Sequence, residues 1–158
     1  MKKSIIISLV LLLLAPIAIC KELFLGKVVA ISDGDTITIL TKEYKEIKIR
    51  LYGIDCPEKH QDFGNVAKQF TSKLCYGRSI KVQVVDVDRY GRAIGIVTLP
   101  DGKILNRELL KAGLAWHYKH FDQSAELSVL EMTAKQKKIG LWSQSKVTPP
   151  WEFRKQRK

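Results

Sequence analysis

From Lys27 onward, apolar and polar residues alternate along much of the first half of the chain. In "TITIL", Ile37 and Ile39 share one face and Thr36 and Thr38 the other; in "EIKIRL", Ile47, Ile49 and Leu51 alternate with Lys48 and Arg50. A period of two is that of a half-buried strand, and it puts Arg50 on the polar face. "KVVAIS" before these runs and "SIKVQVVDV" and "AIGIVTL" after them bring the predicted strands to five. Asp33-Gly34 signals a hairpin turn. The spacing becomes helical at Val66, Ala67, Phe70, Thr71 and Leu74, with Gly77 as the stop. It is helical again at Leu105, Leu109 and Ala112 before Gly113, and over residues 124–138 before Gly140. Pro57 ends strand geometry, and Gly64 is the expected pivot of the loop that follows. Five short strands with a helix after the third predict a mainly β, α+β fold. Its expected form is a five-stranded Greek-key barrel of the oligonucleotide-binding (OB) type, with helices filling the open end.

The first twenty residues stand apart from this pattern. Lys2 and Lys3 precede an apolar run from Ile5 to Ile19, the n-region and h-region of a signal peptide, too short for an ordinary membrane span. Cleavage after Cys20 is expected rather than acylation of Cys20, because Ile19 is bulkier than a lipidation site favours. The chain thus divides into a signal peptide (1–20), one domain (21–148) and a basic C-terminal tail (149–158). The product is exported, to periplasm or medium, without a transmembrane segment in the mature chain. Of 27 Lys and Arg residues, Lys2 and Lys3 leave with the signal, so 25 remain against 16 acids, a net charge of about +9. That balance favours a polyanionic partner such as nucleic acid, an anionic glycan or an anionic membrane. Cys56 and Cys75 have neither CxxC nor Cys/His spacing, which argues against zinc.

Three stretches bear on chemistry: "DGDT" at 33–36, "RLYGIDCPE" at 50–58 and "DRYGR" at 88–92. Singly each is an ordinary turn or strand exit. Together they supply the parts that phosphodiester hydrolysis needs. Asp35, Asp55 and Glu58 are hard oxygen donors suited to Ca²⁺ or Mg²⁺. Arg50 and Arg92 are planar, permanently charged forks that match phosphate oxygens. Glu58, the carboxylate directly after the proline bend, is the natural base for a water.

The order "DGDT … RLYGIDCPE … DRYGR … LNRELLKAGLA … GLW" resembles the thermonuclease family, the staphylococcal-nuclease-like domains, over residues 25–142. The resemblance implies an OB barrel with three helices and a Ca²⁺-dependent endonuclease. Such an enzyme acts on DNA and RNA with low sequence specificity and leaves 3′-phosphate ends. Carried over by position, Asp35 and Asp55 match metal carboxylates, and the Cys56 carbonyl matches a backbone ligand. Glu58 matches the glutamate that acts as base or water-positioner. Arg50 and Arg92 match the phosphate-binding arginines, and Arg89 and Tyr90 a pair near a terminal phosphate. The resemblance implies no stable protein partner, and a monomer is expected. The departures are a short loop after Glu58, a cysteine where Thr or Ala is usual, and "WHYKHF" in place of the tyrosines of the base pocket. A non-catalytic binding module on the same barrel would have no need of the arginines and the glutamate.

Other residues receive plainer readings. His117 and His120 lack a third matching ligand and are read as surface or phosphate-contacting groups. Tyr118 and Phe121 are read as core or rim packing, and Trp142 and Trp151 as packing anchors. The basic tail either adds a salt-dependent nucleic-acid contact or serves as a solubilising end.

Overall fold

A computed structural model describes residues 23–156; the expected signal peptide, Cys20, Arg157 and Lys158 lie outside the described residues. In chain order the elements are β1 (Leu23–Asp33), β2 (Thr36–Thr41), β3 (Glu46–Leu51), β4 (Ile54–Asp55), α1 (Gly64–Cys75), β5 (Ser79–Val87) and β6 (Ala93–Thr98). There follow α2 (Leu105–Lys111), β7 (Trp116–His117), α3 (Ala125–Gln136), a 3₁₀ turn (Gly140–Ser143) and α4 (Pro150–Gln156). Five strands close in the order β1-β2-β3-β6-β5, and β4 pairs separately with β7. All barrel pairings are antiparallel except β3 with β6. This is the expected five-stranded OB barrel. The helix count is the difference, because residues 150–156 form a fourth helix instead of a loose tail.

The barrel closes because β1 serves two partners. Its start, Leu23 to Lys27, pairs with β5, and the stretch from Gly26 to Asp33 pairs with β2. A Cβ on Gly26 would lie 2.9 Å from the Leu40 carbonyl oxygen, so the crossover between the two partners requires glycine. Two bulges, between Val28 and Ala30 and between Ile31 and Asp33, add the bend that closure demands. The alternation then does its work. Ile37, Ile39, Ile49, Val82 and Val97 are fully buried, joined by Leu105, Leu109 and Leu110 of α2. On α1 the buried stripe is Ala67, Thr71 and Cys75, with Phe70 and Leu74 packed beside it. Val66, assigned to that stripe from its spacing, is 48 % exposed. Cys56 and Cys75 are both buried and both free thiols.

One polar side chain fixes the seam where β3 meets β6. Asn106 of α2 is buried; its Oδ1 accepts from the Val97 N–H at 3.1 Å, and its Nδ2 donates to the Tyr52 and Gly95 carbonyls at 2.9 and 3.3 Å. Tyr52 lies two residues past Arg50, so α2 holds the exit of the strand that carries the arginine. Asn106→Ala would take this partner from the Val97 N–H and the Tyr52 carbonyl, each costing about 1–3 kcal/mol unpaired, while the Gly95 carbonyl keeps the Tyr52 N–H at 2.8 Å. The expected loss is roughly 2–4 kcal/mol, a fall in Tm on the order of 10 °C by calorimetry. An unchanged Tm would mean that water replaces the carboxamide.

Candidate active site

The strand register brings the three chemical stretches together. Thr36 pairs with Arg50 across β2 and β3, so Asp35, in the turn before Thr36, faces that arginine. Arg50 in turn pairs with Ile94 across the parallel seam, which puts Arg92, just before β6, at the same end of the barrel. The short β4–β7 pairing, Asp55 with Trp116, holds the strand exit in place. Every site residue expected from the sequence lines one groove of about 910 Å³: Asp35, Arg50, Asp55, Cys56, Glu58, Arg89, Tyr90 and Arg92.

The "DGD" turn is built for close approach. Asp33 Oδ1 accepts the Asp35 N–H at 3.1 Å, and Thr71 Oγ1 donates to the Gly34 carbonyl at 2.5 Å, tying α1 to the turn. A Cβ on Gly34 would sit 2.7 Å from Ala67 Cβ and 2.8 Å from Cys56 Cβ. The Cys56 side chain therefore packs between the turn and α1, while its N–H donates to Asp35 Oδ2 at 2.5 Å. Burial pushes the Cys56 thiol well up, with the Asp35 carboxylate adding to the rise, so it is an inert packing group.

Arg50 spans the two aspartates. Its Nη2 donates to Asp55 Oδ1 at 2.7 Å; its Nη1 lies 2.7 Å from Asp35 Oδ1, out of hydrogen-bond alignment, so that contact is ionic. Side-chain exposure is only 16 % for Arg50, 6 % for Asp35 and 1 % for Asp55. Burial pushes the Asp35 carboxyl up to about 8 against the opposing charge of Arg50, with Asp33 and Asp55 adding to the rise. Glu58 is held by its own loop. Its N–H donates to Gln61 Oε1 at 3.2 Å, its carbonyl accepts the Gln61 N–H at 2.9 Å, and Gln61 Nε2 donates to the Thr148 carbonyl. Gly64 is required beneath it, since a Cβ there would meet the Glu58 carbonyl oxygen at 1.9 Å.

The "DRYGR" turn is organised by a residue that pattern reading passed over. Asp88 Oδ1 accepts the N–H groups of Tyr90 and Arg92 at 2.9 and 3.0 Å, and its Oδ2 accepts Arg92 Nε at 2.6 Å. Gly91 takes φ 78° as a turn glycine should. Arg92 is thereby oriented from behind, while Arg89 lies 4.9 Å over the exposed Tyr90 ring.

A second residue was missed altogether. Arg154 of α4 donates from Nη1 to Glu58 Oε1 at 2.7 Å and from Nη2 to Asp55 Oδ2 at 2.8 Å. The only signal available to find it was charge complementarity between a basic tail and a small acidic group. Trp151 of the same helix stacks on Tyr118, ring centroids 5.3 Å apart and planes at 9°. Trp142 does act as a packing anchor, edge-on to Trp116 at 5.1 Å. His117 corrects the reading of it as a surface or phosphate-contacting group. It is buried, with Nδ1 3.0 Å from Ser128 Oγ and Nε2 3.0 Å from Asp122 Oδ1. Its partners belong to α3 and the turn before it, so it is a structural histidine. Among the described residues no three His, Cys, Asp or Glu side chains are gathered as a metal-binding group; the acids face arginines instead.

Comparison with known proteins agrees with this geometry. The family described as "Staphylococcal nuclease homologue" matches residues 48–144. An uncharacterized endonuclease of Escherichia coli O157:H7 is 39% identical over 148 residues, 94% of this chain and 95% of the relative. A micrococcal nuclease of Shigella flexneri is 35% identical over 142 residues, 84% of this chain and 81% of its own. A staphylococcal-like nuclease of Arabidopsis thaliana is 43% identical over 114 residues, 72% of this chain but 35% of the longer plant protein. With the barrel and its acid-and-arginine groove, these matches place the chain in the staphylococcal nuclease homologue family.

Proposed function

We propose that the protein is an exported, Ca²⁺-dependent endonuclease that hydrolyses phosphodiester bonds of DNA and RNA with low sequence specificity, leaving 3′-phosphate ends. The observation that carries this reading is the convergence of Asp35, Arg50, Asp55, Glu58 and Arg92 on one groove of a chain in a nuclease family. Export rests on the signal-peptide pattern of residues 1–20.

The donor set suits a hard cation. Asp35 and Asp55 are both reached by one guanidinium, and Asp55 and Glu58 by another, so this corner is already arranged to hold positive charge. All donors are oxygen, which favours Ca²⁺ over softer ions. Asp35 and Asp55, with the Cys56 carbonyl, would hold the ion. When bound, it would supply charge to the phosphate and acidify or orient a nearby water. Arg50 and Arg92 bind phosphate oxygens, and their fixed charge is worth more as negative charge builds in the transition state. Glu58 orients the attacking water and accepts its proton. Arg89 and Tyr90, on the exposed turn, contact a flanking phosphate.

The test is cleavage of single-stranded DNA, double-stranded DNA and RNA with Ca²⁺ and with a Ca²⁺ chelator. Loss of at least about 10²-fold on chelation, restored by added Ca²⁺, is expected for a cation that carries transition-state charge. Cleavage undiminished by the chelator, or none in either condition, overturns the reading.

A further inference from the structure

The geometry points to α4 as a cation-displaced latch: Arg154 occupies the carboxylates that would take the metal, and metal binding releases the helix. This rests on the Ca²⁺ reading above. The buried Asp55 carboxylate accepts on both oxygens, Oδ1 from Arg50 and from Arg154 (3.3 Å) and Oδ2 from Arg154. Glu58 Oε1 is taken by the same guanidinium at 2.7 Å. An ion coordinated at about 2.3–2.6 Å by Asp55 would stand against a second unit charge within a few ångströms. The two cations therefore exclude one another. In the latched form Glu58 is also engaged as an ion-pair acceptor, so the base and the metal position are closed together.

The latch is weak enough to open. α4 has seven residues, short of the length at which a helix sustains itself, and Arg154 is 41 % exposed on its side chain. Besides the ion pairs it is anchored by the buried Pro150 and the Trp151–Tyr118 stack. A short surface helix with four of its seven residues exposed belongs to the low-stability end of a protein. Opening it uncovers the Tyr118 ring beside the groove and frees Arg154 from the acids, to stand with Lys155 in the path of a polyanion. By linkage, whatever opens α4 tightens the cation, and the cation opens α4.

Two measurements without substrate test this. Calorimetric titration with Ca²⁺ compares the natural protein with Arg154→Gln and with Trp151→Ala, which loosens the helix but keeps the arginine. Arg154→Gln is expected to bind Ca²⁺ about tenfold more tightly, the scale of one hydrogen-bonded charge contact, and Trp151→Ala to tighten binding less. Hydrogen exchange of the amides of residues 151–156 in the natural protein is expected to speed up when Ca²⁺ is added. Equal or weaker Ca²⁺ binding by Arg154→Gln, or α4 exchange that Ca²⁺ leaves unchanged or slows, overturns the latch alone when the natural protein binds Ca²⁺. If neither the natural protein nor Arg154→Gln binds Ca²⁺, the cation reading falls and the latch falls with it.

Discussion

Arg50→Ala is expected to lower turnover by on the order of 10³-fold and also to destabilise the fold. The first effect follows from removing a fixed charge that would face the transferring phosphate. The second follows from the buried ion pairs. Without Arg50, the Asp35 and Asp55 carboxylates, at 6 and 1 % side-chain exposure, lose their shared counter-ion. Breaking a buried pair by deleting one partner typically costs about 3–5 kcal/mol. Arg50 is also the charge that most opposes the rise of Asp35, so its loss drives that carboxyl further toward the neutral acid. The two effects separate experimentally. Added Ca²⁺ should restore part of the lost Tm, because the ion neutralises the same carboxylates, yet it cannot restore phosphate binding. Arg50→Lys should fall between, since one ammonium cannot span two carboxylates as the planar fork does. Wild-type turnover in Arg50→Ala would refute the role. So would a loss that vanishes once the protein is cooled well below its Tm.

What the sequence made legible is what repeats locally or is unusual in type. Alternation marked the strands, Asp33-Gly34 the hairpin, and "RLYGIDCPE" the charged corner. The unread parts depend on contacts between distant segments. Arg154 meets Asp55 and Glu58 across 99 and 96 positions, and nothing in "PPWEFRKQ" specifies that partner. The segment read as a basic tail forms a helix from Pro150, the first-turn position where proline's missing N–H costs nothing. The buried role of His117 depends on Ser128 and Asp122, which α3 and its preceding turn supply only after folding. Cys56 is explained by Gly34 and Ala67, neither adjacent to it. Asn106 did leave a trace, as a polar residue beside the apolar positions Leu105 and Leu109.

Glu58→Gln is expected to reduce turnover by roughly 10²–10⁴-fold, the usual worth of a general base, with little change in fold. The carboxamide keeps the shape and can still accept from Arg154, but it cannot take a proton from water. Stability should hold, because the side chain is 37 % exposed and the loop is pinned by main-chain contacts to Gln61 and Gly64. Glu58→Asp keeps the base and withdraws it by one methylene, and a misplacement of about 1 Å can itself cost 10²-fold. A third variant isolates position from chemistry. Gly64→Ala leaves the carboxylate intact but drives a methyl against the Glu58 carbonyl oxygen, 1.9 Å from where Cβ would lie, so the loop must shift. If Glu58 acts on the water, Gly64→Ala should lose kcat with little change in KM. Single-turnover cleavage at saturating Ca²⁺ measures all three. Glu58→Gln with full turnover would remove Glu58 from the mechanism. Loss in Glu58→Gln with none in Gly64→Ala would mean that the base tolerates displacement, leaving proton transfer through a relayed water as the remaining geometry.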